Sequence, residues 1–270
     1  LAAEADHGGV VELMARAAEF LAVINRAESG LASDEGVRRE LRAKELGRFL
    51  KACGLDEWGA EFDAWWEIVK DVQKVTRRDS HLDNWLLADD GRLVASALEA
   101  KGSRPIGYDL AQITDDHPLL EIADWDARQR VFDAYFDCLA PLSGRESAWR
   151  SYRACVLARI LWAVTSPERA KTFGPGEAEA RLEGYAESVG DEVLARIARD
   201  SLDALLRKRG LSAPPSVNSR TAGAGRIRLS KAISYQLRHN KALLRDSEGW
   251  VDLDDLVGQL GRVEAKDVLA

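Results

Sequence analysis

The chain has 270 residues, of which 46% are hydrophobic and 31% charged, and its formal net charge is −7 at pH 7. Acidic and basic residues are interspersed, so the chain as a whole carries no nucleic-acid-binding signature. No apolar run approaches the roughly 20 residues needed to cross a bilayer, so we expect no membrane partner. Three widely spaced cysteines fit neither a disulfide framework nor a zinc site, which favours the cytoplasm. Because the chain starts at Leu1 and ends within a helical pattern, we expect a fragment.

Three helical patterns open the chain. Residues 10–26, 38–53 and 57–75 each carry apolar side chains at the three- and four-residue spacing of an amphipathic helix. Gly54 suits the C-terminal end of the second helix. The aromatic residues of the third helix predict a face packed against neighbouring helices. We expect this third helix to run directly into the loop that follows it.

That loop lies within residues 75–87, which read V-T-R-R-D-S-H-L-D-N-W-L-L. Asp79 and Asn84 stand five positions apart with His81 between them, and a short apolar run, a D-G turn and a second apolar run follow. An acid, an amide five residues later and a hairpin are typical of a phosphoryl-transfer loop. The carboxylate would accept a hydroxyl proton, and the amide oxygen would reach Mg²⁺. Taken alone, the same residues also suit an ordinary solvated loop.

The wider pattern resembles a known family. R-D-S-H-L-D-N-W-L-L, then D-D-G-R-L, then R-P-I-G-Y-D-L-A at residues 104–111 are similar to the C-terminal lobe of the aminoglycoside phosphotransferase and choline-kinase-like family. The resemblance implies a protein-kinase-like lobe, helical with a small β hairpin, that uses ATP and Mg. It implies that Asp79 is catalytic, that Asn84 binds the metal, and that His81 and Asp109 support the catalytic loop.

The sequence departs from that family at the metal site. Ala97 stands where the family has its main metal-binding Asp, which leaves Glu99 as the candidate metal ligand on that strand end and Asp83 as another nearby acid. Arg77 and Arg78 stand where the family has His-Gly. No Gly-rich phosphate loop is present, so the sequence does not test ATP binding. The alternative is a lobe that has lost catalysis.

The next hundred residues are predicted to be mostly helical. The predicted helices cover residues 126–139, 147–164, 177–187 and 192–207. Residues 211–225 then change to Pro, Ser, Ala and Gly with almost no large apolar side chain, which predicts an interdomain linker.

A basic segment follows the linker. Residues 226–245 read R-I-R-L-S-K-A-I-S-Y-Q-L-R-H-N-K-A-L-L-R, with Lys and Arg throughout and no acid. A turn at Glu248-Gly249, a short apolar strand and a helix capped by Asp252 come next. Helix, turn, strand and helix in this order predict a small winged-helix domain. The alternative is a basic amphipathic helix with a solvated face.

Two motifs in this segment, L-S-K-x-x-S-Y-x-L-R-H and E-G-W-V-D-L-D-D-L, resemble the N-terminal domain of RNA 2′-phosphotransferases. The resemblance implies that Arg238 and His239 are catalytic, since a guanidinium beside an imidazole suits an RNA phosphate. Arg228 and Lys231 would bind RNA less specifically. The family's NAD-binding lobe would lie beyond Ala270, and Asn240-Lys241 replaces its usual Pro.

These observations predict a mainly α protein with a kinase-like lobe at 1–210, a linker at 211–225 and a winged-helix domain at 226–270. The predicted function is a phosphotransferase that modifies RNA, tRNA above all. The tail would pass an RNA 2′-phosphate to NAD, and the lobe would phosphorylate a hydroxyl, for which an RNA hydroxyl is a candidate. One rival is a small-molecule kinase of aminoglycoside or choline type joined to an RNA-binding domain. Another is a pseudokinase scaffold, which Ala97 favours.

Overall fold

The structure is a computed structural model of the chain, and it divides into two units, Leu1–Ser212 and Ala213–Ala270. All the described residues belong to the first unit. They are 7–25, 32, 35–46, 49, 51, 59–81, 84–96, 98–99, 102–115, 120–139, 144–165 and 177–208. The predicted linker and the predicted winged-helix domain therefore lie outside the described residues, and both remain predictions.

The described part of the chain is mainly helical, which confirms the predicted class. Its α-helices are α1 (His7–Asn25), α2 (Glu35–Glu40), α3 (Gly59–Val69), α4 (Tyr108–Asp115), α5 (Trp125–Leu139), α6 (Arg145–Thr165), α7 (Glu177–Ser188) and α8 (Glu192–Lys208). None of the helices described is long and apolar enough to cross a membrane.

Two of the predicted helices differ from those observed. The second starts earlier, at Glu35, and its backbone changes to a π-helix over Leu41–Leu46. The third ends at Val69, and Lys74–Thr76 form strand β1 instead of continuing the helix. The prediction that this helix runs directly into the loop is therefore wrong. Val75 and Thr76 are β-branched, which favours the extended backbone that a strand partner can pair with.

The strands form two short antiparallel pairs. Strand β2 (Trp85–Leu87) pairs with β3 (Leu93–Ala95), which confirms the predicted hairpin. Its turn closes with a hydrogen bond from the Gly91 N–H to the Ala88 carbonyl at 2.9 Å. Strand β1 pairs with β4 (Ser103–Pro105), a pairing that the sequence analysis did not predict. The two pairs bracket the stretch that contains Asp79.

The core lies around α6, which packs against its neighbours through large buried side chains. Tyr152 of α6 contacts Phe132 of α5, with ring centroids 5.9 Å apart. Trp65 of α3 is fully buried and donates from Nε1 to the carbonyl of Ala154 on α6 at 2.8 Å. The predicted burial of the aromatic face of α3 is thus confirmed at Trp65. Each such side chain adds roughly 1.5–3 kcal/mol through its apolar burial.

Gly107 sets the distance between the site-bearing helix α4 and the core. It precedes α4 and has a φ of 94°, in the region that favours glycine. A Cβ at this position would lie 2.7 Å from the Cα of Tyr152. The start of α4 therefore approaches the α6 backbone more closely than any side chain at residue 107 would allow.

We expect Gly107→Ala to destabilise the protein strongly, since the new methyl group adds a backbone clash to the unfavourable φ. Positive φ costs on the order of 1–2 kcal/mol for an ordinary residue, and overpacking adds typically about 1–3 kcal/mol. Gly91→Ala is the matched control, because Gly91 also has a positive φ, 78°, but a Cβ there meets nothing within 4 Å. In urea unfolding, Gly107→Ala should lose clearly more free energy of unfolding than Gly91→Ala. Equal losses would contradict the close-packing argument.

Candidate active site

The candidate site is the segment 77–81 between β1 and β2, together with Asn84. Backbone hydrogen bonds fix both ends of the segment. The Arg77 N–H donates to the Gly102 carbonyl at 2.7 Å, and the Asn84 N–H donates to the His81 carbonyl at 2.9 Å. The Ser96 N–H in turn donates to the Asn84 carbonyl at 2.8 Å, which ties the loop to the hairpin.

Three residues predicted to act in catalysis lie together in this loop. His81 Nε2 lies 3.3 Å from Asp79 Oδ1, and both side chains are about a quarter exposed. Asn84 Nδ2 donates to the backbone carbonyl of Asp79 at 2.5 Å. The structure thus brings the Asp79 carboxylate into contact with the His81 imidazole, while the Asn84 amide bonds the Asp79 backbone. Solvent can still reach Asp79, so a substrate hydroxyl could reach it as well.

Helix α4 holds the loop from beneath. The backbone N–H of Arg78 donates to Asp109 Oδ2 at 2.9 Å. The Ser80 hydroxyl donates to the Asp109 carbonyl at 2.8 Å and also lies 2.9 Å from Gln112 Oε1. Gln112 Oε1 also accepts from the Ser80 N–H at 3.2 Å. The residues on either side of Asp79 are therefore both bonded to the first turns of α4.

Sequence reasoning did not single out Ser80 or Gln112. Both are fully buried, and their side chains bond across 32 positions of sequence. The signal that points to them is the polarity of Gln112 in the middle of a buried helix, since a buried amide needs partners. Trp85 completes this support, because its Nε1 donates to the Ser80 carbonyl at 3.3 Å.

Asp109 is almost completely buried, and burial raises its pKa from 3.8 to about 7. The hydrogen bond from the Arg78 N–H, the charge of Arg77, the Asn25 amide and the charge of Arg104 lower the pKa, but they do not outweigh burial. Near neutral pH, the carboxyl group under the loop therefore has little preference between its neutral and charged forms.

Arginine side chains surround the same loop. The Arg77 guanidinium lies over the ring of Tyr108, 5.6 Å from its centroid, and Arg104 lies 5.4 Å from the same centroid. Arg104 is neutralised by Glu40, which accepts two hydrogen bonds at 3.0 and 3.1 Å. Arg78 Nη1 reaches the Leu98 carbonyl at a distance of 3.4 Å, which is long for a hydrogen bond.

Mg²⁺ in proteins is usually bound by one or two carboxylates together with phosphate oxygens of the substrate. Asn84 offers an amide whose nitrogen is bonded within the loop, and Glu99 is exposed. Ala97 and Asp83 lie outside the described residues. Within the described ranges, no group of three or more His, Cys, Asp and Glu side chains could hold a metal ion. The donors among the described residues do not by themselves form a resident metal site, and we assign no step to a metal ion.

The predicted residues of the tail have no place in this description. Arg228, Lys231, Arg238 and His239 all lie in the stretch 209–270, outside the described residues. Their roles in RNA binding and catalysis remain predictions from the motifs.

Comparisons with known proteins found no match among protein-family models, curated proteins or solved structures. Both family resemblances therefore rest on the motifs of this chain alone.

The pKa of Asp109 predicts how stability depends on pH. The folded protein binds a proton at Asp109 more tightly than the unfolded chain, whose pKa is near 3.8. The free energy of unfolding should therefore fall as pH rises from about 4 to about 7, and stay level beyond this window. Relative to the wild type, the free energy of unfolding of Asp109→Asn should rise by about a few kcal/mol between pH 4 and pH 8. Denaturant unfolding at each pH measures the difference.

Asp191 supplies a control of opposite sign. Burial disfavours the charge of Asp191, but hydrogen bonds from Arg150 and from the Leu194 N–H lower its pKa overall. Its carboxylate stabilises the fold above the ordinary pKa, and this stability is lost as pH falls through the lowered folded value. Asp191→Asn should therefore lose stability relative to the wild type at neutral pH. A constant difference between Asp109→Asn and wild type at all pH values would contradict the buried-carboxyl interpretation.

Proposed function

We propose that the helical lobe transfers a phosphoryl group to a substrate hydroxyl at Asp79. The contact that carries the proposal is the one between Asp79 Oδ1 and His81 Nε2, 3.3 Å apart, in a loop whose neighbouring residues are bonded to α4. An anchored carboxylate with an imidazole beside it is suited to accept the proton of an attacking hydroxyl. The loop, the hairpin and α4 follow in the order that the kinase-like resemblance implies, although β1 separates α3 from the loop.

Each residue of the loop has a defined part in this proposal. The Asp79 carboxylate would orient the hydroxyl and take its proton as the oxygen attacks the γ-phosphorus of ATP, and the γ-phosphorus–oxygen bond would break with ADP as the leaving group. His81 would hold the carboxylate in one orientation, and Asn84 would fix the Asp79 backbone. Asp109 and Ser80 would keep the loop rigid from below. Positioning of this kind is the main source of catalysis in phosphoryl transfer.

ATP is the phosphoryl donor implied by the resemblance, and Mg²⁺ would supply charge neutralisation at its phosphates. The donor set described above does not support a metal site of the family's type. That disagreement favours the pseudokinase alternative, in which the lobe binds a ligand or a partner without turnover. The small-molecule kinase remains the other alternative, and the chemistry of the accepted substrate separates it from an RNA kinase.

The tail adds the second half of the proposal. Its two motifs support an RNA 2′-phosphotransferase domain, in which Arg238 and His239 act on the 2′-phosphate and NAD accepts it. Arg228 and Lys231 would attract the RNA backbone. A lobe joined to such a tail would meet RNA as its natural substrate, and tRNA is the first candidate. This link is one of association, since a fold alone does not fix a substrate.

Asp79→Asn should abolish transfer of the ATP γ-phosphate, because the amide keeps the shape of the side chain but cannot take a proton. We expect a loss of about 10²–10⁴-fold, the usual contribution of a general base. Transfer of radiolabelled phosphate in the intact protein measures it, with RNA, an aminoglycoside and choline as acceptors. Asp71→Asn is the control, since Asp71 is exposed and lies outside the loop.

Two results would contradict the kinase proposal. Wild-type protein that binds a nucleotide yet transfers nothing to any acceptor would establish the pseudokinase alternative. Equal activity of Asp79→Asn and wild type would remove Asp79 from catalysis.

In the tail, Arg238→Ala should weaken the binding of 2′-phosphorylated RNA by about 1.5–3 kcal/mol, the range for a hydrogen bond to a charged group. The loss should be smaller for unmodified RNA of the same sequence, which lacks the 2′-phosphate. Filter-binding titrations with both RNAs measure the difference, and Arg228→Ala serves as a control for general attraction to the backbone. Equal losses on both RNAs would reduce Arg238 to a nonspecific contact.

A further inference from the structure

Two neighbouring arginines lie at the base of the candidate loop. Among the described residues, neither Arg77 nor Arg78 forms an ion pair with a carboxylate, although the charge of Arg77 acts on Asp109. Two other arginines near α4 do form ion pairs. Arg104 pairs with Glu40, and Arg181 pairs with Asp115 at the end of the helix. The two residues that precede Asp79 in the sequence are therefore cationic and, unlike Arg104 and Arg181, form no ion pair within the described part of the chain.

The hydrogen-bond donors of these two side chains are largely unused. The Nε atoms of Arg77 and Arg78 are both buried and have no hydrogen-bond partner. The guanidinium of Arg78 makes one long contact, to the Leu98 carbonyl at 3.4 Å, and that of Arg77 lies against the Tyr108 ring. Each guanidinium has five N–H donors, and a buried donor without a partner is unfavourable. Both side chains are only half-buried, so a ligand with several acceptor oxygens would bind their Nη donors.

The local charge also favours an anionic ligand. The loop carries two guanidinium groups and the carboxylate of Asp79, and the charge of Arg77 acts on the buried carboxyl of Asp109, whose pKa of about 7 leaves it only partly charged. Asp79 in turn lies beside the His81 imidazole. Arginine binds phosphate with paired, charge-assisted hydrogen bonds that a single carboxylate nearby does not prevent.

We propose that Arg77 and Arg78 form an anion site that binds a phosphate group of the substrate at the Asp79 loop. The ligand is therefore a phosphate-bearing molecule and not a cationic aminoglycoside or choline. This inference rests on the proposed function only in placing the substrate at Asp79. Because the positive charge comes from side chains, binding of the phosphate does not require a divalent cation.

The same charges act against the rival substrates. A cationic acceptor that approached Asp79 would meet, within the same loop, two guanidinium groups that form no ion pair with any described residue. Like charges in a partly buried site are repelled more strongly than in water, because screening by solvent is weaker there. The arginine pair would thus exclude cationic acceptors as well as attract phosphates.

The test is binding to the full chain in buffer with EDTA, followed by hydrogen exchange of peptides that cover residues 74–87. The probes are inorganic tripolyphosphate, an unmodified single-stranded RNA oligonucleotide, kanamycin and choline. Tripolyphosphate and RNA should slow exchange in these peptides, and the two cations should not. Protection by tripolyphosphate alone would assign the site to a nucleotide polyphosphate, and protection by RNA alone to a phosphodiester.

The variants are Arg78→Gln and Arg77→Gln, and each should raise the dissociation constant measured at the loop by about tenfold, as expected for one charge-assisted contact. Arg78→Lys should raise the dissociation constant less than Arg78→Gln, since lysine keeps the positive charge. Arg199→Gln is the control, because Arg199 is 57% exposed and lies on α8. Each variant is checked for an unchanged melting temperature. If one variant unfolds, the wild type still tests the inference, because anions should protect the loop from exchange and cations should not.

Several results would overturn the inference. These are protection by kanamycin or choline, no protection by either anion, or the same affinity in Arg78→Gln as in wild type. Failure of the proposed function gives a different result: anions bind at the loop, but no acceptor is phosphorylated. Conversely, phosphorylation that needs Asp79 but is unchanged in both arginine variants would keep the proposed function and reject the anion site.

Discussion

The backbone N–H of Arg78 donates a hydrogen bond to the Asp109 carboxyl group, 2.9 Å away across 31 positions of sequence. The candidate site depends on this buried contact, because it joins the loop that carries Asp79 to the first turn of α4. Ser80 and Gln112 reinforce it on the other side of Asp79. Without these bonds, the loop would keep only its backbone contacts to the neighbouring strands, and the Asp79 carboxylate would not be held in one place.

Helix α4 can serve as this anchor because the core fixes its own position. Gly107 lets the turn before the helix lie against the Tyr152 backbone. Ser151 donates to the Ile106 carbonyl at 2.8 Å, and Thr114 bonds the Tyr152 hydroxyl at 2.7 Å further along. The position of the candidate loop is thus set by the contacts of α4 with α6. Packing and function are coupled through one short helix.

The elements that could be predicted from the sequence are those whose signal is local. Apolar periodicity predicted α1 and the later helices, and the D-G turn predicted the β2–β3 hairpin. The β1–β4 pair could not be predicted, because each strand has three residues and its register depends on a partner distant in sequence. Ser80 and Gln112 were missed for the same reason. A motif indicated which residues belong to the loop, but only the fold shows what holds them.

Two departures from the kinase-like pattern change the electrostatics of this loop in the same direction. The resemblance implies an acid where this chain has Ala97, and Arg78 is a cation just before Asp79. The Arg78 guanidinium extends to the carbonyl of Leu98, the residue that follows Ala97 in the sequence. The loop thus has less of the negative charge that would hold a cation, and more positive charge of its own. A site with this balance is better suited to hold phosphate oxygens directly than through a metal ion.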